Sequence, residues 1–502
     1  DPAEYEPVNP PYSRHAFDDT FSFLNYSCHE MPVTVTPTPR VIYVPDDYAK
    51  IQWAVDNATA GDTIIVRDGV YVENVDVSKP LTLTSENGSV GCVVRAANPD
   101  DHVFYVNTDN VTVRGFTVTG TRTSYGKAGI YLHNSDDCRI EHVNASNNWF
   151  GICLCSSSNN IIVNNTVSDN GDGIQLDFSS NNIIVNNTIS SSSWSGIRLT
   201  SSNNIIVANN TISDNGCGIG LEYSSNNILM NNTISNNGNG VRLWRSSSNT
   251  IANNTFHLNA MDVSYSYNNK VTNNTVNGKP LVYLENVSDY VVEDAGQVIA
   301  INSNNITIKD LNLFGIEFWN TKNSKIINNT ILSNRYGDGI YLDCSSSNNT
   351  IANNTVSSSR FGIYLYYSSN NNILANNTVS ESWCGIYIEE SSNNIIANNT
   401  VSNSLYGIYL DYSSNNTIAN NTVSNNYYGI ALHYSSGNAI YLNNFIGNTD
   451  QVYSVSSTNI WNSTSQMTYT YEGRTYMNYM GNYWSDYTGS DADGDGIGDA
   501  PY

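Results

Sequence analysis

The chain of 502 residues carries 21 basic against 45 acidic side chains, a formal charge of -24 at neutral pH. That balance repels nucleic acid and anionic lipid and favours divalent cations. No run of about 20 apolar residues is present, so no transmembrane span is expected. The chain opens on Asp1 without a charged and apolar leader, and it reads as a mature exported protein, secreted or held at the cell surface, whose signal peptide has been removed. Eight cysteines agree with an oxidising compartment and lack zinc or redox spacing. Cys28 with Cys92 is a candidate disulfide, whereas Cys153 and Cys155 share one strand and would bridge only with strain.

Residues 1–40 are rich in proline and carry Tyr12, Phe17, Phe21 and Phe23. Such an arm is a linker, packs on its own chain, or donates a strand to a neighbour. Residues 41–100 read as an amino-terminal cap with the first coils. Tyr48, Ile51, Gln52, Ala54 and Val55 are spaced for a short amphipathic helix ending before Gly61, and strands follow at 63–66 and 70–77. A helix laid over the first coil hides an end that would otherwise expose unpaired edges.

Residues 101–447 repeat about every 22 residues, as in GICLCSSSNNIIVNNTVSDNGD from Gly151 and GIYLDYSSNNTIANNTVSNNYY from Gly407. A unit this short cannot enclose a core, so each copy is one coil of a stack completed by its neighbours. Three short alternating strands per coil describe a parallel β-helix, about fifteen coils and roughly 70 Å long. Counting inward from Ile189, the second Asn of each Asn-Asn-Thr faces the corner, so Asn187 stacks with Asn165, Asn210, Asn232 and Asn254. The first Asn faces solvent and heads an N-x-T sequon: Asn164, Asn186, Asn209, Asn231, Asn253, Asn376, Asn398 and Asn420. N-linked glycans there are one reading; the other is that an Asn ladder followed by a β-branched Thr yields the motif by structural need alone. Glycans on successive coils would stand only about 5 Å apart.

The series Ile51-Gln52-x-Ala54-Val55, Gly61-Asp62-Thr63-Ile64-x-Val66 and Gly69-x-Tyr71-x-Glu73-Asn74-Val75 resembles the start of the pectate-lyase-like right-handed β-helix superfamily. The coils that follow are similar to its NosD-like branch, frequent in exported surface proteins of methanogenic archaea. The resemblance covers residues 41–502 and implies an all-β, right-handed, single-stranded parallel β-helix. It selects no activity, because the same rod carries lyases, hydrolases, esterases, adhesins and structural proteins. The NosD name also implies copper. His15, His29, His102, His133, His142, His257 and His433 are scattered, and Met477 with Met480 is the one close thioether pair, so no copper is expected.

Between 277 and 314 the repeat lapses while alternation persists, which predicts irregular coils in a continuing rod. On the outward side of the Gly-Ile strands, Tyr341, Tyr364, Tyr387 and Tyr409 form a column beside Asp343, Tyr366, Glu389, Asp411 and His433. Cross-coil stacking, a flat protein interface and sugar rings all suit such a column. Glu389 with Asp411, and Asp177 with Glu222, have the spacing of glycosidase acid pairs, yet such pairs arise easily in an acidic repeat. No insertion announces a pocket, and the acid and base arrangement of the family's enzymes is not recognisable, so no catalytic residue is assigned. Residues 448–488 are an aromatic carboxy-terminal cap. In the tail, 489–502, Asp491, Asp493, Asp495 and Asp499, with the Ile497 carbonyl, have the spacing of a calcium loop, similar to thrombospondin-type and dockerin-type repeats; solvated acidic chain is the alternative.

Together these features predict an exported, glycosylated structural protein of an envelope layer, sheath or filament, assembling into a homo-oligomer or polymer. The rival is a protein that binds or cleaves cell-surface polysaccharide. A groove beside the tyrosine column favours the rival; burial of that column between subunits favours the structural protein.

Overall fold

In the computed structural model, which describes residues 38–333, 336–500 and 502, each repeat is a coil of three short strands. One coil runs through Asp172–Asp177, Ile183–Val185 and Thr188–Ser190. Each strand pairs in parallel with its equivalent one coil on, so that Ile174 meets Ile197, Ile184 meets Val207 and Ile189 meets Ile212. Three walls result, here named for their motifs: Gly-Ile, Asn-Ile and Asn-Thr. Ile174, Leu176, Ile184 and Ile189 are fully buried between them. The fold is a right-handed parallel β-helix of about 19 turns.

The corners depend on asparagine twice over. Asn187 is buried; its Oδ1 accepts the Asn165 backbone N–H at 2.9 Å and the Asn165 side-chain amide at 3.0 Å. Its own Nδ2 donates to the carbonyls of Ile162 and Val185. Each side chain thus satisfies backbone groups left over where one strand bends into the next. The ladder runs on through Asn210, Asn232, Asn254 and Asn274. The preceding Asn186 is exposed and left-handed, with φ +57°, a conformation asparagine tolerates better than most residues. The same alternation leaves all eight sequon asparagines exposed.

At the amino end the helix Ile51–Asn57 buries Ile51, Ala54 and Val55 against the first coils. The Glu73 carboxylate accepts the N–H groups of Ile51 and Gln52, both at 3.1 Å, and so satisfies two orphan donors of the first helical turn. At the carboxy end Asn482 adds a last rung to the second stack's ladder, accepting from Asn443. Trp484 lies flat on Phe445 at 4.6 Å and closes that core.

The expected continuous rod is broken between 277 and 314. After the strand Thr275–Val276 the chain turns through Asn277 and Gly278, at φ +51° and +82°, and the strand Lys279–Glu285 returns antiparallel. Two left-handed residues in this order form a tight hairpin. A new three-walled stack starts there, its Gly-Ile wall beginning with Lys279–Glu285, Gln297–Ile301 and Gly315–Trp319. The outer face of this wall lies over the end of the first stack: Leu281, Ile299, Ile301, Phe314 and Trp319 join the first core, while Val298, Ala300 and Phe318 build a second. Two side chains replace the missing next strand. Gln297 accepts the Met261 N–H at 3.0 Å and donates to the Met261 carbonyl at 2.6 Å, and Glu317 accepts the Val263 N–H at 3.1 Å.

Replacing Asn187 with Ala is expected to cost about 1–3 kcal/mol in denaturant unfolding, because buried backbone groups lose their partner. Asn186→Gly, the control that accepts the left-handed backbone, is expected to stay within about 0.5 kcal/mol of the parent. Equal losses would contradict the inward and outward assignment.

Candidate functional site: a cleft at the corner of two stacks

Because the second stack leans over the first, the outer faces of their Gly-Ile walls meet at a corner. The corner encloses a cleft of about 730 Å³. The first stack contributes Asn239, Arg242 and Asp262; the second contributes Glu317, Asp338, Tyr341, Arg360, Tyr364, Tyr387 and Glu389. Arg242 and Tyr387 belong to strands that a straight rod would hold seven rungs apart, roughly 34 Å at the rise per rung. The hairpin brings them to one cavity.

Four carboxyl groups line it, and three of them, Asp262, Glu317 and Asp338, are raised from their ordinary values. Burial pushes Asp338 up to about 7; Arg360 opposes the shift and Asp262 adds to it. Glu317 is buried and raised well above its ordinary value, by desolvation first and then by the charge of Asp262. Its Oε1 accepts from Val263 N and Trp319 Nε1. Asp262, a third exposed, is raised by desolvation against the pull of Arg242, whose Nε lies 3.5 Å away, and of Arg360. Arg242 and Arg360 are exposed and bring positive charge to a cleft in a chain with few basic residues.

Tyr341, Tyr364 and Tyr387 of the tyrosine column line the second stack's side of the cleft, but the column is not an exposed sheet of ring faces. Tyr341, Tyr364, Tyr387 and Tyr409 stack at 4.8–5.0 Å, each ring covering the next. Tyr364 and Tyr387 are consequently buried, with Phe361 packed beside them. The ring faces of Tyr364 and Tyr387 are covered on both sides. The Tyr341 hydroxyl donates to Asp343 and that of Tyr364 to Glu389. The acid pairs suggested by spacing are engaged by neighbours: Asp411 holds His433 Nδ1 at 2.7 Å, Glu222 holds Arg198 at 2.8 Å, and Asp177 accepts from Gln175.

The sequence reading missed Asp262, Glu317 and Asp338. Their signal was in coil length. Asn254 and Asn274 are 20 residues apart along the ladder, and Asn329 and Asn354 are 25 apart, where 22 or 23 is usual. The shortened coil carries Asp262 and the lengthened one carries Asp338.

In the tail, carboxylate oxygens of Asp491, Asp493 and Asp495 lie within 4.8 Å of one another. Asp491 accepts the N–H groups of Asp495 and Gly496, Asp495 accepts that of Ile497, and Asp499 accepts that of Ala492. Cys28 lies outside the described residues. Cys92 is fully buried, and burial, with the Asp68 charge, pushes its thiol up to about 12. Cys153 pairs in register with the outward Gln175 and is covered, at 2% exposure. Among the described residues no helix is long and apolar enough to cross a membrane.

The family model described as periplasmic copper-binding protein (NosD) matches residues 268–489, and the right handed beta helix region model matches 92–256 and 172–310. Together the two matches support a NosD-like, right-handed parallel β-helix, in agreement with the strands described above. A curated relative, a cell surface glycoprotein of Methanothermus fervidus, is 32% identical over 151 residues, covering 23% of this chain and 24% of that protein. The chain therefore spans about a quarter of that relative's length. Among solved structures, DFA-IIIase of Arthrobacter chlorophenolicus is 14% identical with a TM-score of 0.40, over 62% of this chain and 94% of that one. The Dettilon tailspike protein is 14% identical with a TM-score of 0.36, over 87% and 75%. At these scores neither likeness says anything of activity.

The NosD description names copper, a metal that imidazole and sulfur ligands suit. His102 Nδ1 accepts the Ala128 N–H, and His433 is held by Asp411. Among the described residues, the one group of three or more His, Cys, Asp or Glu placed to share an ion is the Asp491, Asp493 and Asp495 set. All-oxygen donors suit a hard cation and do not fit copper.

The raised carboxyls make the joint sensitive to pH. Asp338 binds its proton more tightly folded, at about 7, than unfolded, near the usual ~3.9. Its contribution is therefore fully present below about pH 4 and is lost as pH rises through 7. Asp338→Asn, which has no charge to bury, is expected to melt above the parent at pH 8 and level with it near pH 4. An equal difference at both pH values would contradict the assignment.

Proposed function

We propose that this NosD-like chain is an exported cell-surface glycoprotein whose corner cleft binds a polysaccharide. The carrying observation is the cleft itself: a concave site where tyrosine hydroxyls, carboxyl groups and two guanidinium groups converge. Such a lining suits a ligand covered in hydroxyl groups, which both donate and accept. The edge-on tyrosines fit this reading through hydrogen bonds rather than ring stacking. The surface location is supported by the name of the curated relative and by the eight sequons at exposed corners.

The self-assembling structural protein shares that location and differs in what the second stack's outer face meets, another copy instead of a glycan. Calorimetric titration with soluble oligosaccharides of glucose, galactose, mannose and N-acetylglucosamine separates the two. The binding reading expects at least one to bind, with Tyr387→Phe and Arg360→Ala each weakening it about tenfold, or ~1.4 kcal/mol. Concentration-dependent oligomers with no oligosaccharide binding would overturn it in favour of assembly.

The tail is a second proposed site, for calcium. Its acidic loop is tied to the hairpin Met467–Tyr471 and Arg474–Asn478 by the hydroxyls of Tyr469 and Tyr476, which donate to the carbonyls of Asp495 and Gly494. Calcium titration is expected to release or absorb heat and to slow proteolysis of residues 489–502; neither effect should survive Asp491→Asn with Asp493→Asn. A silent titration with unchanged proteolysis would contradict the proposal.

A further inference from the structure

We propose that the corner cleft also hydrolyses a glycosidic bond, with Asp338 as the proton donor and Asp262 as the base that activates water. The inference rests on the glycan reading of the same cleft and extends it from binding to chemistry.

The two carboxyls reach the cleft from different stacks. Asp262 stands on the last Gly-Ile strand of the first stack, Met261–Ser264, and Asp338 precedes the strand Ile340–Asp343 of the second. Their surroundings divide the roles. Asp262 is a third exposed and has the Arg242 guanidinium at 3.5 Å, which favours its carboxylate form. Asp338 is half-buried as well, accepts a 3.3 Å bond from the Phe361 N–H, and among the described residues has Arg360 and Asp262 as charged neighbours without a guanidinium in direct contact. Two like carboxyls in one site do not ionise together, so the one beside the guanidinium gives up its proton first. Asp338 then remains protonated near neutral pH, as a general acid must. Among the described residues, the charged groups facing this pair are Arg242 from the first stack and Glu317, Asp343, Arg360 and Glu389 from the second.

In the reaction the bond from the anomeric carbon to the leaving oxygen breaks. Its electron pair stays on that oxygen, which takes the Asp338 proton. Water forms the new bond to the anomeric carbon and passes a proton to the Asp262 carboxylate. No other reactant is needed, and exchange with solvent returns both groups to their starting forms. Glu317 is a positioning residue: it holds the Val263 N–H and so fixes the strand that carries Asp262.

The test uses the whole chain and those of the four oligosaccharide series that bind it. New reducing ends are expected, at a rate that falls as pH rises past about 7. Asp338→Asn and Asp262→Asn should each lower the rate about 100-fold or more while oligosaccharide binding and cooperative melting persist; Asp338→Glu should recover part of the loss. Binding without cleavage by the parent would overturn the catalytic inference and leave the binding reading standing. Cleavage undiminished in both Asn variants would overturn the residue assignment. Absence of any binding would remove both.

Discussion

A stack of β-coils is satisfied along its length but not at its ends, where a strand edge and a slice of core face water. Much of this chain's departure from its repeat serves to cover an end. At the amino end the covering element is a seven-residue helix whose own free N–H groups are taken by Glu73. At the carboxy end it is Trp484 on Phe445, with Asn482 as a final rung. Between them the first stack is closed by the flank of the second, which supplies Ile299, Ile301 and Trp319 as core and Gln297 and Glu317 as surrogate backbone partners.

The closure in the middle has a chemical consequence that the others lack. A flank laid over an end leaves a concave corner on one side, and side chains that would have been separate on a straight rod come to share it. Glu317 belongs to both arrangements, since it accepts the backbone N–H of the covered strand and adds a carboxyl to the cleft. Its burial, with that of Asp338, costs stability as the pH rises, because a carboxyl held protonated in the fold must then be ionised there. On the Gly-Ile walls away from the joint, Asp177, Glu222 and Asp411 are instead held by Gln175, Arg198 and His433.

Much of the architecture was legible in the residues. Alternation around Ile189 placed Asn187 in the corner and Asn186 in solvent, and the helix between Ile51 and Asn57 could be read from its apolar spacing. The joint was not read, because strand-like alternation continues through 277–314 whether the chain goes on or turns back. The Asn277-Gly278 pair is a hairpin signal, but only the antiparallel return of Lys279–Glu285 gives it that meaning here. The tyrosine column was placed on the correct side of its wall, yet alternation gives direction and not cover. Rings repeating every coil stack face to face and hide one another, which a single coil does not reveal. Asp262 and Asp338 lie 76 positions apart in the chain and share a cavity because the chain turns back between them; the unusual length of the coils that carry them was their mark in the sequence.

The most direct test is the distance between the two Gly-Ile walls across the joint, measured by pulsed electron spin resonance. Spin-labelled non-canonical residues at Gly220, where an added side chain finds room, and at Tyr409 leave the native cysteines alone. In a straight rod these positions would be nine rungs, roughly 43 Å, apart. A stack folded back at Asn277 and Gly278 predicts a single population well short of that distance. A distribution centred on the rod spacing would contradict the corner and, with it, the cleft.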